Sequence, residues 1–304
     1  MAYLKQQRPE KVTVPSLRAS KERGERLVCL TAYDYPTARI IDEAGIDIIL
    51  VGDSLGNVVL GYDNTIPVTL DEMVNATRTV RRGVARALLV ADMPYGSYHT
   101  GADVAVGNAL RLIKEAGAEA VKLEGGARRA PLIKRLVDEE IPVVGHIGLT
   151  PQSVHKLGGF RLQGKTTQAA RTLLDDARAL EDAGACAIVL EVVPREIAQL
   201  VTERASVPTI GIGAGAGCDA QVLVIHDLLG LMFDKSFRHV RQYANLRESV
   251  TDAISRFAED VRAGVFPSEA ESYKLPDAAA TEMATELDVE LPTTPALTEK
   301  GDKG

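Results

Sequence analysis

The sequence predicts a (β/α)8 barrel of the TIM type, with one helix before it and further helices after it. Three observations predict this fold. Short apolar runs alternate with longer, helix-periodic segments from Leu27 onward. The pairs Ala44-Gly45, Ala116-Gly117 and Ala183-Gly184 each precede such a run, as a glycine that ends a helix does. Nearly every run ends in a polar or acidic residue, whereas the opposite ends do not. Alternating strands and helices imply right-handed βαβ units and a parallel sheet, and eight of them are enough to close it. An open, doubly wound sheet is the competing architecture.

Taken in order, residues 1–26 form an N-terminal segment in which Val14-Pro15-Ser16-Leu17 opens a short helix. That helix either plugs one end of the barrel or, given its charge, lies on the surface. The barrel segment is 27–274. Its runs are Leu27 to Thr31, Ile46 to Gly52, Ala87 to Ala91, Ala118 to Leu123, Pro142 to His146, Ala185 to Leu190, Pro208 to Ile212 and Gln221 to Ile225. Between them, Ala38, Ile41 and Ala44, or Leu173, Ala177 and Leu180, recur at helical spacing. The last run is ambiguous, because Gln221 to Leu231 also fits a helix. Phe237 to Arg262 reads as one or two amphipathic helices. Residues 275–304 are rich in Asp, Glu, Thr, Ala and Pro. Such a tail cannot bury enough apolar surface to offset its ordering entropy, so it is expected to be disordered or loosely attached.

Composition narrows the function. With 304 residues, of which 45% are hydrophobic, the chain can build one large core. A net charge of -7 and a pI near 5.4 lack the basic face that nucleic acid or an anionic membrane would need. No run approaches the ~18 apolar residues of a membrane span. Met1 to Glu10 contain no apolar signal core, and Cys29, Cys186 and Cys218 form no C-x-x-C pair. A cytoplasmic enzyme acting on small molecules is the expectation.

The candidate site residues are those that leave the strand ends. Asp53-Ser54 follow the second run, Asp92 the third, Lys122 and Glu124 close the fourth, His146 the fifth and Glu191 the sixth. Lys122 and Glu124, two apart on a strand, point to one face. Three carboxylates converging with one ammonium repel each other, so a cation is expected among them. Oxygen donors without cysteine favour Mg2+. The competing reading makes Asp53 and Asp92 helix N-caps, as Asp34 before Tyr35-Pro36 is expected to be. Glu191 leaves the apolar run Ala187-Ile188-Val189-Leu190, which suits it to general-base work; a structural salt bridge is the alternative. His146 is either a substrate contact or a hydrogen-bonded core residue. Gly211-Ile212-Gly213-Ala214-Gly215-Ala216-Gly217 follows a late strand and lacks the Gly-Lys-Ser/Thr of a phosphate loop, so it reads as a close backbone approach at the rim. Residues 61–67 form a loop long enough to serve as a lid.

Seven segments in order strengthen these expectations. They are Leu30-Thr31-Ala32-Tyr33-Asp34-Tyr35, Val51-Gly52-Asp53-Ser54-Leu55-Gly56, Pro67-Val68-Thr69, Ala91-Asp92-Met93-Pro94, Val121-Lys122-Leu123-Glu124-Gly125-Gly126, Gly145-His146-Ile147-Gly148-Leu149-Thr150-Pro151-Gln152-Ser153 and Gly211-Ile212-Gly213-Ala214-Gly215. Together they resemble the ketopantoate hydroxymethyltransferase family from about Val14 to Tyr273. The resemblance implies a (β/α)8 barrel, a homo-oligomer that is often decameric, and the first committed step toward pantothenate and coenzyme A. By resemblance, Asp53, Asp92 and Glu124 are Mg2+ ligands. Asp53, Ser54, Asp92 and Lys122 contact the 2-oxo acid, and Glu191 is the proton acceptor. The implied substrates are 3-methyl-2-oxobutanoate and 5,10-methylenetetrahydrofolate. Ala220 stands where the family usually has glycine, and 275–304 extends past the usual end. A metal-dependent C–C lyase or mutase of the phosphoenolpyruvate mutase type is the enzymatic rival, distinguished by needing no folate. A catalytically silent barrel is the third reading.

Overall fold

The short apolar runs become strands because β-branched and aliphatic residues buried on both faces suit a parallel sheet covered by helices. The computed structural model describes residues 10–159, 161–233 and 237–291. Among them the strands are β1 Leu27–Thr31, β2 Ile48–Val51, β3 Leu88–Asp92, β4 Ala120–Glu124, β5 Val143–Gly148, β6 Ala187–Glu191, β7 Thr209–Ile212 and β8 Ala220–Leu223. They pair in parallel in sequence order, and Leu27 of β1 aligns with Ala220 of β8, closing the barrel. The open doubly wound sheet is thereby excluded.

The helices are α1 Val14–Glu22, α2 Tyr35–Glu43, α3 Leu55–Val58, α4 Leu70–Arg81, α5 Ala102–Leu110, α6 Ala130–Asp138, α7 Val154–Leu157, α8 Thr167–Asp182, α9 Arg195–Arg204, α10 Ile225–Leu229, α11 Leu246–Arg262 and α12 Asp277–Glu286. The ambiguity at the last run resolves into both elements. Ala220–Leu223 completes the sheet, and Ile225–Leu229 turns into a short helix once Val224 has left it. Helix α5 runs on into a π-helical turn at Arg111–Glu115.

Two apolar cores result. One lies between strands and helices, where Leu89, Val121, Leu136, Leu180 and Ile188 are buried. The other fills the barrel interior with Cys29, Ile48, Leu88, Val90, Ala120, Val144, Ala187, Val189, Ile210 and Val222. Helix α1 belongs to the interior core. Leu17, 1% exposed, packs into it with Val12, which settles the N-terminal helix as a plug and not a surface element. Thr13 and Ser16 form a capping box that starts the helix. Lys21 Nζ ties its last turn to Asp219 Oδ2 at 2.9 Å, and Lys11 Nζ holds the preceding strand of chain to Glu119 Oε2 at 2.6 Å.

By backbone contacts the chain divides after Ala244 into two units. In the second, α11 carries Val250, Ile254, Phe257 and Val261 exposed along its length, and Phe257 meets Phe266 edge-on with centroids 5.4 Å apart. Within the segment read as a loose tail, Asp277–Glu286 is helical, and residues 292–304 lie outside those described.

Candidate active site

Period-2 alternation along the strands decides what faces the barrel axis. On β3 the inward positions are Leu88, Val90 and Asp92; on β4 they are Ala120, Lys122 and Glu124; on β5, Val144 and His146; on β6, Ala187, Val189 and Glu191. The alternation therefore fills the lower interior with apolar side chains and sets a polar layer on top of it. That layer sits at the carboxyl ends of the strands, where barrel enzymes place their chemistry.

A chain of polar contacts crosses this layer. Asp92 Oδ1 lies 2.9 Å from Lys122 Nζ, an ion pair buried on both sides. Lys122 Nζ lies 3.4 Å from His146 Nδ1, and His146 Nε2 lies 3.2 Å from Glu191 Oε2. An ammonium has no lone pair to offer, so Nδ1 must present its own, and donor chemistry assigns the imidazole proton to Nε2, on the Glu191 side. Burial, followed by the Lys122 charge, pushes His146 below the usual histidine range and keeps the ring neutral near pH 7. Burial opposes the charge on Lys122 as well. The surrounding Asp92, Glu124 and Asp53 outweigh it and hold the ammonium protonated.

Beside this chain lies a bracket around Asp53 and Glu124. Gln152 Nε2 donates to Asp53 Oδ2 at 2.8 Å and to the Met93 carbonyl at 3.0 Å. The Gln152 main-chain N–H donates to Glu124 Oε2 at 3.0 Å. Tyr98 donates its hydroxyl to Gln152 Oε1 at 2.5 Å and accepts from the Glu124 N–H at 3.2 Å. Arg129 stacks its guanidinium 4.8 Å from the Tyr98 ring centroid. Asp53 in turn donates its N–H to Asp92 Oδ2 at 3.0 Å, joining bracket and chain.

These partners decide the capping question. Asp34 accepts from Thr37 N at 2.8 Å and is the N-cap of α2. Helix α3, which follows Asp53, has no side-chain cap, while Asp53 and Asp92 turn toward the interior instead. Ser54 Oγ shares a hydrogen bond with the Tyr33 hydroxyl at 2.8 Å.

Electrostatics define what the layer can hold. Burial and then the charge on Asp92 push Asp53 up to about 7, and burial and then Asp53 raise Glu124 well above the usual carboxylate range. Three buried carboxylates face one ammonium, so a cation would relieve both the burial cost and the repulsion. The donors are hard oxygens and fit a hard divalent ion. Among the described residues no three His, Cys, Asp or Glu are gathered closely enough to hold an ion alone. Such an ion would complete its shell with water or substrate oxygens.

A cleft of about 300 Å3 opens beside the ends of β4 and β5 and helix α8, lined in part by Gly126, Arg128, Gly148, Ser153 and Lys156. Of these, Gly148 is the sheet partner of Glu191. At Gly148, φ is 94° and an added Cβ would lie 2.3 Å from the Glu191 carbonyl oxygen, so glycine is required there. The glycine-rich turn after β7 is a similar close approach. A Cβ on Gly215 would lie 2.4 Å from Arg195 Cβ, in agreement with a packing role and not a phosphate loop. The 61–67 loop is tied down, with Thr65 buried, Asn57 Nδ2 donating to the Tyr62 carbonyl at 3.0 Å and Tyr62 donating to Glu72 at 2.8 Å.

The structure thus brings Asp53, Asp92, Lys122, Glu124, His146 and Glu191 into one layer, with Ser54 beside it. Gln152 and Tyr98 escape residue-by-residue reading. Gln152 lies four residues past the end of β5 and carries no charge, and Tyr98 lies in a loop without a local pattern.

Residues 11–269 match the family Ketopantoate hydroxymethyltransferase. The 3-methyl-2-oxobutanoate hydroxymethyltransferase of Koribacter versatilis is 57% identical over 269 residues, covering 88% of this chain and 91% of that protein. The enzyme of the same name from Thermoanaerobacter sp. is 53% identical over 266 residues, covering 88% and 97%. Among solved structures, 2,3-dimethylmalate lyase, a PEP mutase/isocitrate lyase superfamily member, superposes with a TM-score of 0.55 at 18% identity, covering 92% of this chain and 99% of its own. Phosphonopyruvate hydrolase does so with a TM-score of 0.55 at 13% identity, covering 91% and 97%. Those two likenesses concern the fold alone. With the family match spanning the barrel and its polar layer, the chain belongs to the ketopantoate hydroxymethyltransferase family and is an enzyme of the transferase class.

Proposed function

We propose that the protein transfers a hydroxymethyl group from 5,10-methylenetetrahydrofolate to 3-methyl-2-oxobutanoate, forming 2-dehydropantoate as the first step toward pantothenate and coenzyme A. The observation that carries this reading is the juxtaposition, at one barrel mouth, of the Asp53, Asp92 and Glu124 carboxylates with the Lys122–His146–Glu191 chain. The relatives' shared name supports the acceptor.

Mg2+ is the cation that this reading places at Asp53, Asp92 and Glu124, where it would supply Lewis acidity toward the oxygens of a 2-oxo acid. The chain's own residues do the rest. Lys122, held charged, lies where negative charge develops on the acceptor as its C3 proton leaves, and stabilises it. Glu191 accepts that proton. Neutral His146 turns its Nε2–H toward the Glu191 carboxylate at 3.2 Å and so orients it without carrying a charge. Ser54, steadied by Tyr33, presents a hydroxyl to the acceptor carboxylate. The new C–C bond joins C3 to the donor's methylene carbon, water supplies the hydroxyl oxygen, and tetrahydrofolate departs. The cleft lined by Gly148, the sheet partner of Glu191, offers the donor an approach.

The same reading makes the protein a cytoplasmic homo-oligomer, decameric as is frequent in this family, which sedimentation of the purified protein tests. The reaction is tested by incubating that protein with Mg2+ and both substrates. Formation of 2-dehydropantoate and tetrahydrofolate is expected, and C–C cleavage of a 2-oxo acid without folate would instead favour the lyase reading.

A further inference from the structure

The bracket around Asp53 and Glu124 is built by a residue from neither strand. We infer that Gln152 is the positioning residue of the cation site, holding carboxylates from two strands at a fixed separation while adding no charge; the inference rests on the cation reading above.

Gln152 sits in the short turn Pro151–Ser153 after β5 and is buried. Its hydrogen-bonding capacity is fully directed. Both Nε2 hydrogens are used, on Asp53 Oδ2 at 2.8 Å and Met93 O at 3.0 Å, and the main-chain N–H takes Glu124 Oε2 at 3.0 Å. The orientation of the amide is fixed by Tyr98. Because the Tyr98 oxygen receives the Glu124 N–H at 3.2 Å, its hydroxyl hydrogen is left to Gln152 Oε1 at 2.5 Å, which turns the NH2 end to Asp53. One residue thus grips one oxygen of each carboxylate and leaves the other oxygen outside its bonds. Glu124 Oε1 accordingly faces the layer, 3.6 Å from His146 Nδ1.

Charge explains the choice of residue. An arginine or lysine here would steady the carboxylates equally well, but its charge would replace the cation they are set to receive. A neutral amide steadies them and preserves the negative excess. Without it, two buried like charges are free to rotate apart.

Titration calorimetry of the intact protein with Mg2+ alone, paired with thermal melting, tests the assignment in Gln152→Met, which keeps length and volume. A Kd raised about 10- to 100-fold in a protein that still melts cooperatively is expected. A merely structural role would lower the melting temperature and leave Kd within about threefold, and that result overturns the assignment. Should Gln152→Met fail to fold, Tyr98→Phe decides, because it keeps the ring under Arg129 and removes only the hydroxyl that orients the amide. A weakened Kd there supports the assignment, and an unchanged one overturns it. A parent protein that binds no Mg2+ overturns the cation reading and this inference together, whereas a binding parent with an unaffected Gln152→Met overturns this inference alone.

Discussion

His146 Nε2 lies 3.2 Å from Glu191 Oε2 while the opposite ring nitrogen faces the Lys122 ammonium at 3.4 Å. The imidazole therefore separates a permanent positive charge from the carboxylate proposed as the base. Direct contact between Lys122 and Glu191 would hold that carboxylate in its ionised form and weaken it as a base.

Replacing Glu191 by Gln removes the proposed base while keeping the shape of the side chain. Turnover is expected to fall by about 10²- to 10⁴-fold, with the melting temperature nearly unchanged because the side chain is already 18% exposed. Steady-state rates and a melting curve on the same preparation check this.

Acid conditions should weaken cation binding. Asp53 is pushed up to about 7, so below that value a proton competes with the ion. For the Asp53 proton alone, affinity falls about tenfold per pH unit below 7, and protonation of Glu124 steepens the loss. Stability of the cation-free protein runs the other way. A carboxyl whose folded pKa exceeds its unfolded value of 3.8 stabilises fully below 3.8, and that contribution is lost as pH rises toward 7. Calorimetric Mg2+ titrations and melts between pH 5 and 8 measure both trends.

Asp92→Asn leaves the buried Lys122 without the partner now 2.9 Å away. Breaking a buried pair from one side costs about 3 kcal/mol or more, so a clear drop in the denaturation midpoint is expected together with weaker Mg2+ binding. An unaltered midpoint would mean that Asp53 and Glu124 satisfy the ammonium by themselves.

Gly148→Ala forces a side chain into the left-handed region and against the Glu191 carbonyl oxygen. Strain of about 1–3 kcal/mol is expected, and relief by shifting β6 would displace Glu191. Turnover should fall more than the melting temperature alone explains.

Much of this was legible in the sequence, for reasons that the geometry makes plain. Apolar runs ending in Asp53, Asp92, Glu124 and Glu191 announce themselves because a charge at the end of a buried strand has few structural excuses. Strand bounds shift by a residue or two, as at Leu88–Asp92, because hydrogen bonding and not hydropathy sets them. The plug formed by α1 is ambiguous on the sequence because Arg18 and Lys21 read as surface charge. In the structure Lys21, and Lys11 just ahead of the helix, reach carboxylates at 2.9 Å and 2.6 Å while Leu17 turns inward. Gln152 was hidden for the opposite reason: an uncharged residue joins Asp53 and Glu124 only through tertiary contacts, 99 and 28 positions away.

That plug has a kinetic corollary. With Leu17 seated in the interior core, molecules reaching the polar layer must come and go at the carboxyl ends of the strands. If the reaction is the proposed one and the small acid binds below the bulky donor, addition and release are ordered, acid first in and enlarged product last out, an expectation that product-inhibition patterns test.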